Sequence, residues 1–389
     1  MDCRTGCCDA EIDASGKICR PAARSRAGPA GILEQPPALR YAAALSSISA
    51  ANARGWIVDR PVPYVIAEIG SVHDGSFGNA CRLIETAADC GVDAVKFQTH
   101  VAEAETLLDA PSPSYFSAEP RADYFRRTGF STDQWLRLAA VAGAAKVDFL
   151  SSPFSLEAVD LLEQVGVGAY KVPSGEVSNL PLLERIAGTG KPIFLSSGMS
   201  SWAELDAAVA ACRGGGHVTL LQCTSAYPCP PEKVGLNVMV EMAGRYNLPV
   251  GYSDHTMGFA APIAAVALGA TVIEKHFTFS RLMYGSDAKH SMEPDQFRLL
   301  CRELKDAGRM MASAVDKNDL SAVADMKLIF EKSIVAAAEL PAGTEIAESH
   351  LAFKKPGDGI PAAKYRDLIG RRVVNAVPRD HKFSLEDFA

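Results

Sequence analysis

Between Val62 and Arg309, short apolar runs rich in β-branched residues alternate with stretches of helical periodicity. Buried strands that alternate with helices are typical of a parallel sheet covered by helices on both faces. About eight such strand-then-helix units within about 250 residues predict a closed (β/α)8 TIM barrel of the α/β class. In this fold the side chains that perform chemistry lie at the carboxyl ends of the strands.

The segments outside this repeat have a different character. Residues 1–55 show no sustained periodicity, and we interpret them as a disordered N-terminal extension before a catalytic barrel domain at 56–310. Residues 311–332 have the composition of a linker with a helix. Residues 333–389 alternate β-rich runs with Gly and Pro breakers, which predicts a small β-rich module that leans on the barrel or on a second subunit.

Composition narrows the class of protein. A net charge of −7 and a pI of about 5.7 argue against nucleic acid as the main partner. No apolar run reaches the roughly 18 residues needed to span a bilayer. The ten cysteines lack the spacing of a secreted disulfide framework, so we expect a cytoplasmic enzyme with free thiols.

Two histidines end consecutive predicted strands. GYSDH ends in His255, and ATVIEKHF carries His276 one strand later, with the apolar helical run AAPIAAVAL between them. Because parallel neighbours end at the same edge, both imidazoles should lie together on the catalytic face. With acidic residues nearby they suit a divalent metal with open coordination positions. The alternative is two histidines satisfied within a packed barrel.

Two lysines interrupt otherwise apolar strands. Lys96 lies in DAVKFQ and Lys171 in AYKVPSGE, and a buried ammonium is costly unless it is paired. With serine hydroxyls at neighbouring strand ends, the pair suits a phosphate or phosphate-ester anion. The alternatives are an edge position, a buried ion pair with Glu68 or Glu176, or a Schiff-base lysine of an aldolase. Glu68 and Glu176 are themselves candidates for proton transfer or for structural pairing with the lysines.

As a set, the motifs from Val62 to the C-terminus resemble the sialic acid synthase (N-acetylneuraminate synthase) family. The resemblance implies an antifreeze-like (β-clip) C-terminal domain at 333–389 and a domain-swapped homodimer in which that domain reaches the other subunit's site. The motifs occur in the family's order: AEIG, DAVKFQ, FLSSPF, YKVPSGE, KPIFLSSGM, LLQCTSAYPCPPE, GYSDHTMG, VIEKHFT, GSDAKHSMEP, LPAGTEI and KKPGDGI.

The resemblance implies a role for each matching position. His255 and His276 would ligate Mn2+, or alternatively Mg2+ or Co2+, and Glu68 and Glu176 match acidic catalytic positions. The acceptor sugar would contact Gln98, Tyr227, Asp287 and Lys355. Phosphoenolpyruvate would be surrounded by Lys96, Ser152, Lys171, Ser174, Ser196, Ser225 and Ser253.

The chain departs from the family pattern at two places. The family's EIG-x-NHNG is EIGSVHDG here, with Val72 and Asp74 in place of asparagines, so a role for His73 does not carry over. Bacterial members commonly have RPG in the last domain, whose arginine reaches the acceptor's acetamido group. Here KKPG presents Lys355, which cannot make a planar two-pronged contact.

The implied activity is metal-dependent condensation of phosphoenolpyruvate with an N-acetylated hexosamine, N-acetylmannosamine first, to a nine-carbon 2-keto sugar acid (a sialic acid) and phosphate. Alternative acceptors are the diacetamido hexoses that lead to legionaminic or pseudaminic acid, and N-acetylmannosamine 6-phosphate. Arg121, Arg126 and Arg127 form a basic cluster that either meets a second phosphate or is a solvated helix face. A lysine aldolase or lyase and a non-catalytic binding protein are more distant rivals.

Overall fold

The computed structural model describes residues 60–107, 110–111 and 119–389. These residues belong to two compact units, one ending at Ala312 and the other spanning Ser313–Ala389. The predicted N-terminal extension at 1–55 lies outside the described residues. In the described part of the chain, no helix combines the length and the apolar character needed to cross a membrane.

The first unit confirms the predicted barrel. Its eight strands pair in parallel with their neighbours in sequence order, and the eighth closes onto the first. The strands are β1 Tyr64–Gly70, β2 Ala94–Thr99, β3 Asp148–Pro153, β4 Tyr170–Val172, β5 Ile193–Ser196, β6 Val218–Cys223, β7 Val250–Asp254 and β8 Val272–His276.

The helices begin where the local sequence supplies caps. Ser155 caps its helix by accepting from the backbone N–H of Ala158, and Ser201 forms a capping box with Glu204, as the sequence predicts. The helices of the first unit are α1 Phe77–Asp89, α2 Ala102–Glu105, α3 Arg121–Thr128, α4 Thr132–Ala144, α5 Leu156–Val165, α6 Leu180–Ala187, α7 Trp202–Cys212, α8 Leu236–Tyr246, α9 Ala260–Ala267 and α10 Pro294–Ala312.

The two faces of each strand have different neighbours because side chains alternate along a strand. Outward residues such as Val65, Val95 and Tyr252 join the large core between strands and helices. Inward residues form a separate apolar layer inside the barrel, made of Tyr64, Ile66, Ala94, Leu150, Ala169, Phe194, Leu221 and Val272. This layer seals the barrel beneath its carboxyl end, so polar groups further along the strands rest on an apolar floor.

The second unit has its own small core. α11 Ala324–Phe330 lies within the predicted linker. β9 Ser333–Ala336 pairs antiparallel with β10 Leu351–Lys354. Their apolar side chains pack with residues that follow in the chain: Leu340, Ile346, Leu368, Val373, Val377, Phe383 and Phe388. Short bridges, such as Leu340 with Val377, replace longer strands, so the module is β-rich with few regular elements.

Candidate active site

A layer of polar side chains lies directly above the apolar floor of the barrel. Seven members stand two residues after a residue of the apolar floor, which we call a floor position. On β7 the corresponding floor position is Gly251, which has no side chain to add to the apolar layer. The two-residue repeat of a strand therefore points all of them inward at the carboxyl end. All eight are buried. We call this set the polar layer: Glu68, Lys96, Ser152, Lys171, Ser196, Cys223, Ser253 and Glu274.

Lys96 lies between two carboxylates of the polar layer. Its side chain is 3% exposed, and its Nζ lies 2.6 Å from Glu68 Oε2 and 4.0 Å from Glu274 Oε1. Nζ also donates to Ser152 Oγ at 3.3 Å. Burial alone would lower the pKa of Lys96, but the carboxylates of Glu274 and Glu68 outweigh it and raise that pKa. Lys96 is therefore held as an ammonium ion.

Lys171 takes a different carboxylate from the two considered in the sequence. Its Nζ lies 3.3 Å from Glu274 Oε2, and Glu274 Oε1 accepts from Ser253 Oγ at 3.1 Å. Burial would raise the pKa of Glu274, but Lys171 and Lys96 outweigh that effect and lower it. Both lysines are thus in buried ion pairs, while their serine neighbours leave polar atoms for an incoming anion.

A cradle of two hydroxyls forms one step above the polar layer, around Gly198. A Cβ on this glycine would lie 2.5 Å from Ser174 Oγ and 2.7 Å from Ser225 Oγ, so glycine leaves the space between these hydroxyls open. Below it, Ser196 Oγ is buried without a hydrogen-bond partner among the described residues. An unsatisfied buried hydroxyl costs free energy, and an anion in the cradle would supply its missing partner.

The two predicted metal ligands are neighbours. The ring centroids of His255 and His276 are 5.6 Å apart. His255 Nδ1 bonds the carbonyl oxygen of Thr224 at 2.8 Å, which fixes the ring and leaves Nε2 free to ligate. His276 Nδ1 is buried and lacks a hydrogen-bond partner within the described part of the chain, and burial lowers the pKa of this imidazole.

These features fit a divalent ion held by two imidazoles. Across residues 60–107, 110–111 and 119–389, no group of three or more His, Cys, Asp or Glu side chains has ligand spacing. The remaining coordination positions would therefore fall to water or substrate, as in catalytic metal sites with open positions.

The predicted acceptor side of the site lies over Gly70. A Cβ on Gly70 would lie 2.7 Å from Asp287 Oδ2, 3.3 Å from Glu68 Oε1 and 3.4 Å from Gln98 Nε2. Three polar groups from separate strands and loops therefore converge on one space. Tyr227 lies beside the two histidines instead, where its ring centroid is 4.1 Å from that of His255.

Of the predicted residues, Glu176 lies apart from this cluster and Lys355 belongs to the second unit. Glu176 is half-buried in a turn after β4, where its Oε2 accepts from Asn179 Nδ2 at 2.8 Å. Burial raises the pKa of Glu176, and the nearby charged groups are Glu105, His100 and Arg121 rather than the lysines. Lys355 belongs to the second unit, where its Nζ lies 4.7 Å above the Phe330 ring.

The altered first loop is explained by its packing. Val72 is buried in the barrel's outer core. Asp74 has a positive φ of 52°, a conformation that Asp and Asn tolerate, and its carboxylate pairs with Arg127 at 2.8 Å. His73 is buried against the rings of Phe97 and Phe130. The loop is thus held by apolar packing and one ion pair.

Sequence reasoning missed the central role of Glu274 as the partner of both lysines. It also missed Cys223, whose Sγ lies 3.8 Å from His255 Nδ1 and accepts from Ser174 Oγ at 3.6 Å. The sequence did hold one indication of their place, because Glu274 and Cys223 each stand two residues after a floor position on their strand. Glu274 is also two residues before His276 on the same face of β8.

A closed barrel with ion-paired lysines, serine hydroxyls and two histidines at the carboxyl ends of its strands defines a TIM-barrel enzyme. Comparisons with known proteins agree. The NeuB family model matches residues 83–316, and the SAF domain model matches residues 331–389. The chain therefore belongs to the NeuB family, which confirms the family resemblance found in its motifs.

Individual relatives cover most of the chain. N,N'-diacetyllegionaminic acid synthase of Campylobacter jejuni is 37% identical over 316 residues, which cover 79% of this chain and 94% of the relative. N-acetylneuraminate-9-phosphate synthase of Mus musculus is 34% identical over 84% of this chain and 92% of the relative. A crystal structure of N-acetylneuraminic acid synthetase from Leptospira borgpetersenii matches with a TM-score of 0.61 and 30% identity, over 69% of this chain and 91% of that one.

Proposed function

We propose that this enzyme condenses phosphoenolpyruvate with an N-acetylated hexosamine, giving a nine-carbon 2-keto sugar acid and inorganic phosphate. The observation that carries the proposal is the polar layer, which places two buried lysines and three serines beside two histidines. The relatives named N,N'-diacetyllegionaminic acid synthase, N-acetylneuraminate-9-phosphate synthase and N-acetylneuraminic acid synthetase support the same reaction class.

The polar layer and the cradle would bind phosphoenolpyruvate. Lys96 and Lys171 supply positive charge in a water-poor interior, where each ammonium acts more strongly on an anion than it would in water. Ser152, Ser196 and Ser253 lie at the same level, and the cradle adds two hydroxyls above them. These donors hold the carboxylate and phosphate so that the C3 carbon of phosphoenolpyruvate faces the acceptor.

We propose that His255 and His276 hold a divalent metal, Mn2+ first and Mg2+ or Co2+ as alternatives. When bound, such an ion supplies Lewis acidity for the aldehyde of the open-chain sugar. The imidazole of His255 is oriented for this role by its bond to the Thr224 carbonyl.

In the reaction, a bond forms between C3 of phosphoenolpyruvate and the sugar's aldehyde carbon. A water oxygen adds to C2, and the bond between C2 and the bridging oxygen breaks as phosphate leaves. Glu68 is the better placed of the two candidate bases, because its Oε1 borders the space over Gly70. It would take the proton of the attacking water, an equivalent proton would complete the hydroxyl group at the former aldehyde oxygen, and Lys96 would stabilise the negative charge of the departing phosphate.

The preferred acceptor carries no phosphate. A phosphorylated sugar would need uncommitted cations near the acceptor side. In the basic cluster, Arg127 is paired with Asp74 and Glu119 at 2.8 and 2.6 Å, and Arg126 is paired with Glu103 and Asp123. Arg121 lies over the Phe125 ring, 5.2 Å from its centroid, and is the one arginine of the cluster without an ion pair among the described residues, so two of the three cations are committed. We therefore place N-acetylmannosamine and the diacetamido hexoses ahead of N-acetylmannosamine 6-phosphate.

The test is phosphate release from phosphoenolpyruvate with Mn2+, run separately with N-acetylmannosamine, its 6-phosphate and the two diacetamido hexoses. We expect release with an unphosphorylated sugar, and loss of release with EDTA or in His276→Ala. The matched control is His217→Ala, since His217 is exposed just before β6 at the opposite end of the strands. Isothermal titration should show Mn2+ binding lost in His276→Ala and kept in His217→Ala.

Two results would contradict the proposal. If a folded protein that binds Mn2+ releases no phosphate with any of the sugars, the proposed synthase reaction is wrong. Full activity after exhaustive chelation would show that the reaction does not require a metal. We also propose the homodimer, for which light scattering should give a mass of twice the 41.3 kDa chain.

A further inference from the structure

Outside the polar layer, the side chain of one histidine lies flat between two phenylalanine rings. The ring centroid of His100 is 3.6 Å from that of Phe125 and 4.1 Å from that of Phe154, and both contacts are stacked. Its Nδ1 lies 2.8 Å from Glu105 Oε1, and both side chains are about 5% exposed or less. Its Nε2 lies 3.2 Å from Gln98 Oε1. Neither His100 nor Glu105 has a role in the reaction described above.

These contacts continue without a break into the active site. Gln98 Nε2 donates to Glu68 Oε1 at 2.8 Å. Glu68 Oε2 is in turn 2.6 Å from Lys96 Nζ. A line of polar groups thus runs from Glu105 in α2, through His100 and Gln98, to the charged centre of the barrel.

The chemistry of this line fixes the direction of both hydrogen bonds that Gln98 makes. A carboxylate paired with an ammonium only accepts hydrogen bonds, so Gln98 must turn its NH2 group towards Glu68. Its carbonyl oxygen then faces His100, whose Nε2 must carry a hydrogen to donate.

We propose that His100 and Glu105 are positioning residues that lock the amide of Gln98 in this orientation for binding of the acceptor sugar. The inference rests on the proposed function. The space over Gly70 is bordered by Gln98 Nε2 together with oxygens of Glu68 and Asp287. The locked amide gives this space one donor beside two acceptors, which matches sugar hydroxyl groups. A reversed amide would present a third oxygen and repel both carboxylates.

The first test separates hydrogen bonding from packing. His100→Phe keeps an aromatic ring between Phe125 and Phe154 but removes both nitrogens. We expect the KM for the acceptor sugar to rise about tenfold, the change that corresponds to one lost hydrogen bond. The KM for phosphoenolpyruvate and the Mn2+ affinity should stay within about twofold. His100→Gln, whose amide can still donate to Gln98, should recover most of the loss.

The second test asks whether His100 acts through Gln98. If it does, His100→Phe should raise the acceptor KM in the wild-type background and have little further effect in Gln98→Ala, because residues that share one interaction are not additive. Independent, additive effects would overturn the proposal. So would an equal rise in the KM for phosphoenolpyruvate, which is the result expected of general damage to the barrel.

A third measurement does not depend on turnover. Nitrogen-15 NMR of histidine-labelled protein should show the Nε2 of His100 protonated, with assignment by His100→Phe. An unprotonated Nε2 would overturn the positioning role even in an active enzyme. Failure of the wild-type protein to release phosphate with any sugar would instead count against the proposed reaction and leave this measurement standing.

Discussion

Substitution of one glycine should close the proposed anion cradle without disturbing the fold. Gly198 follows β5, and its φ lies outside the left-handed region, so alanine can adopt its backbone conformation. The new Cβ would lie 2.5 Å from Ser174 Oγ and 2.7 Å from Ser225 Oγ. Both distances are shorter than carbon and oxygen tolerate without a bond, so both hydroxyls must turn away.

The expected loss follows from those two hydroxyls. A hydrogen bond to a charged group contributes about 1.5–3 kcal/mol. Losing two at the lower value weakens binding by about 3 kcal/mol, and each 1.4 kcal/mol is a factor of about ten. The KM of Gly198→Ala for phosphoenolpyruvate should therefore rise at least about 100-fold, with the acceptor KM little changed.

The assay is steady-state phosphate release with each substrate varied in turn, together with a thermal melt. The matched control is Gly143→Ala in α4, where a Cβ would meet no heavy atom within 4 Å. It should leave both KM values unchanged and stabilise the helix by about 0.5–1 kcal/mol. A phosphoenolpyruvate KM for Gly198→Ala within twofold of wild type would refute the cradle. A rise in the acceptor KM alone would indicate that the cradle binds the sugar and not phosphoenolpyruvate.

Three other changes test the electrostatics. Glu274→Gln leaves the ammonium of Lys171 buried without its carboxylate, so the free energy of unfolding should fall by about 3 kcal/mol. Added phosphoenolpyruvate should then raise the melting temperature of this variant more than that of wild type. Lys275→Met removes the cation 2.5 Å from the buried carboxylate of Asp254, which keeps only its hydrogen bonds from Tyr252 and Thr256. The free energy of unfolding in urea should fall by about 3 kcal/mol, and a loss below 1 kcal/mol would contradict this. Burial lowers the pKa of His73 to about 4, so its neutral form stabilises the fold above about pH 6.5 and this contribution falls away towards pH 4. Urea titrations should show His73→Gln losing less stability than wild type over that window, and parallel curves would refute the assignment.

The barrel could be predicted because its signal is local and repeated. Each strand carries its own β-branched run, and cap residues such as Ser155 and Ser201 mark where helices begin. The inward direction of Lys96 and Lys171 follows from the same two-residue repeat, which places both in the polar layer. Sequence therefore predicts which residues share a layer, since that property depends only on position along a strand.

Pairing within the layer was harder to predict because it depends on distances across the barrel. Lys171 on β4 and Glu274 on β8 are joined only when the barrel closes, and no strand-to-strand spacing in the sequence reports that contact. Glu176 was the nearer carboxylate in sequence, but the turn after β4 carries it towards Asn179. The proposed role of His100 could not be predicted for a related reason. Its stacking partners Phe125 and Phe154 come from α3 and from the loop after β3, and only the folded chain brings them together.

The charge balance of the polar layer bears on the metal proposal. Lys96 and Lys171 carry two positive charges, and Glu68 and Glu274 carry two negative charges, so the paired layer is close to neutral. Phosphoenolpyruvate, the proposed substrate, would bring a carboxylate and a phosphate into the same enclosed space, where unbalanced charge is expensive. The two lysines could pair with these substrate charges only if their ion pairs with the glutamates became weaker. A divalent cation at His255 and His276, whose ring centroids are 5.6 Å apart, would restore the balance. The ion pairs of the polar layer therefore support the proposal that a metal binds together with an anionic substrate.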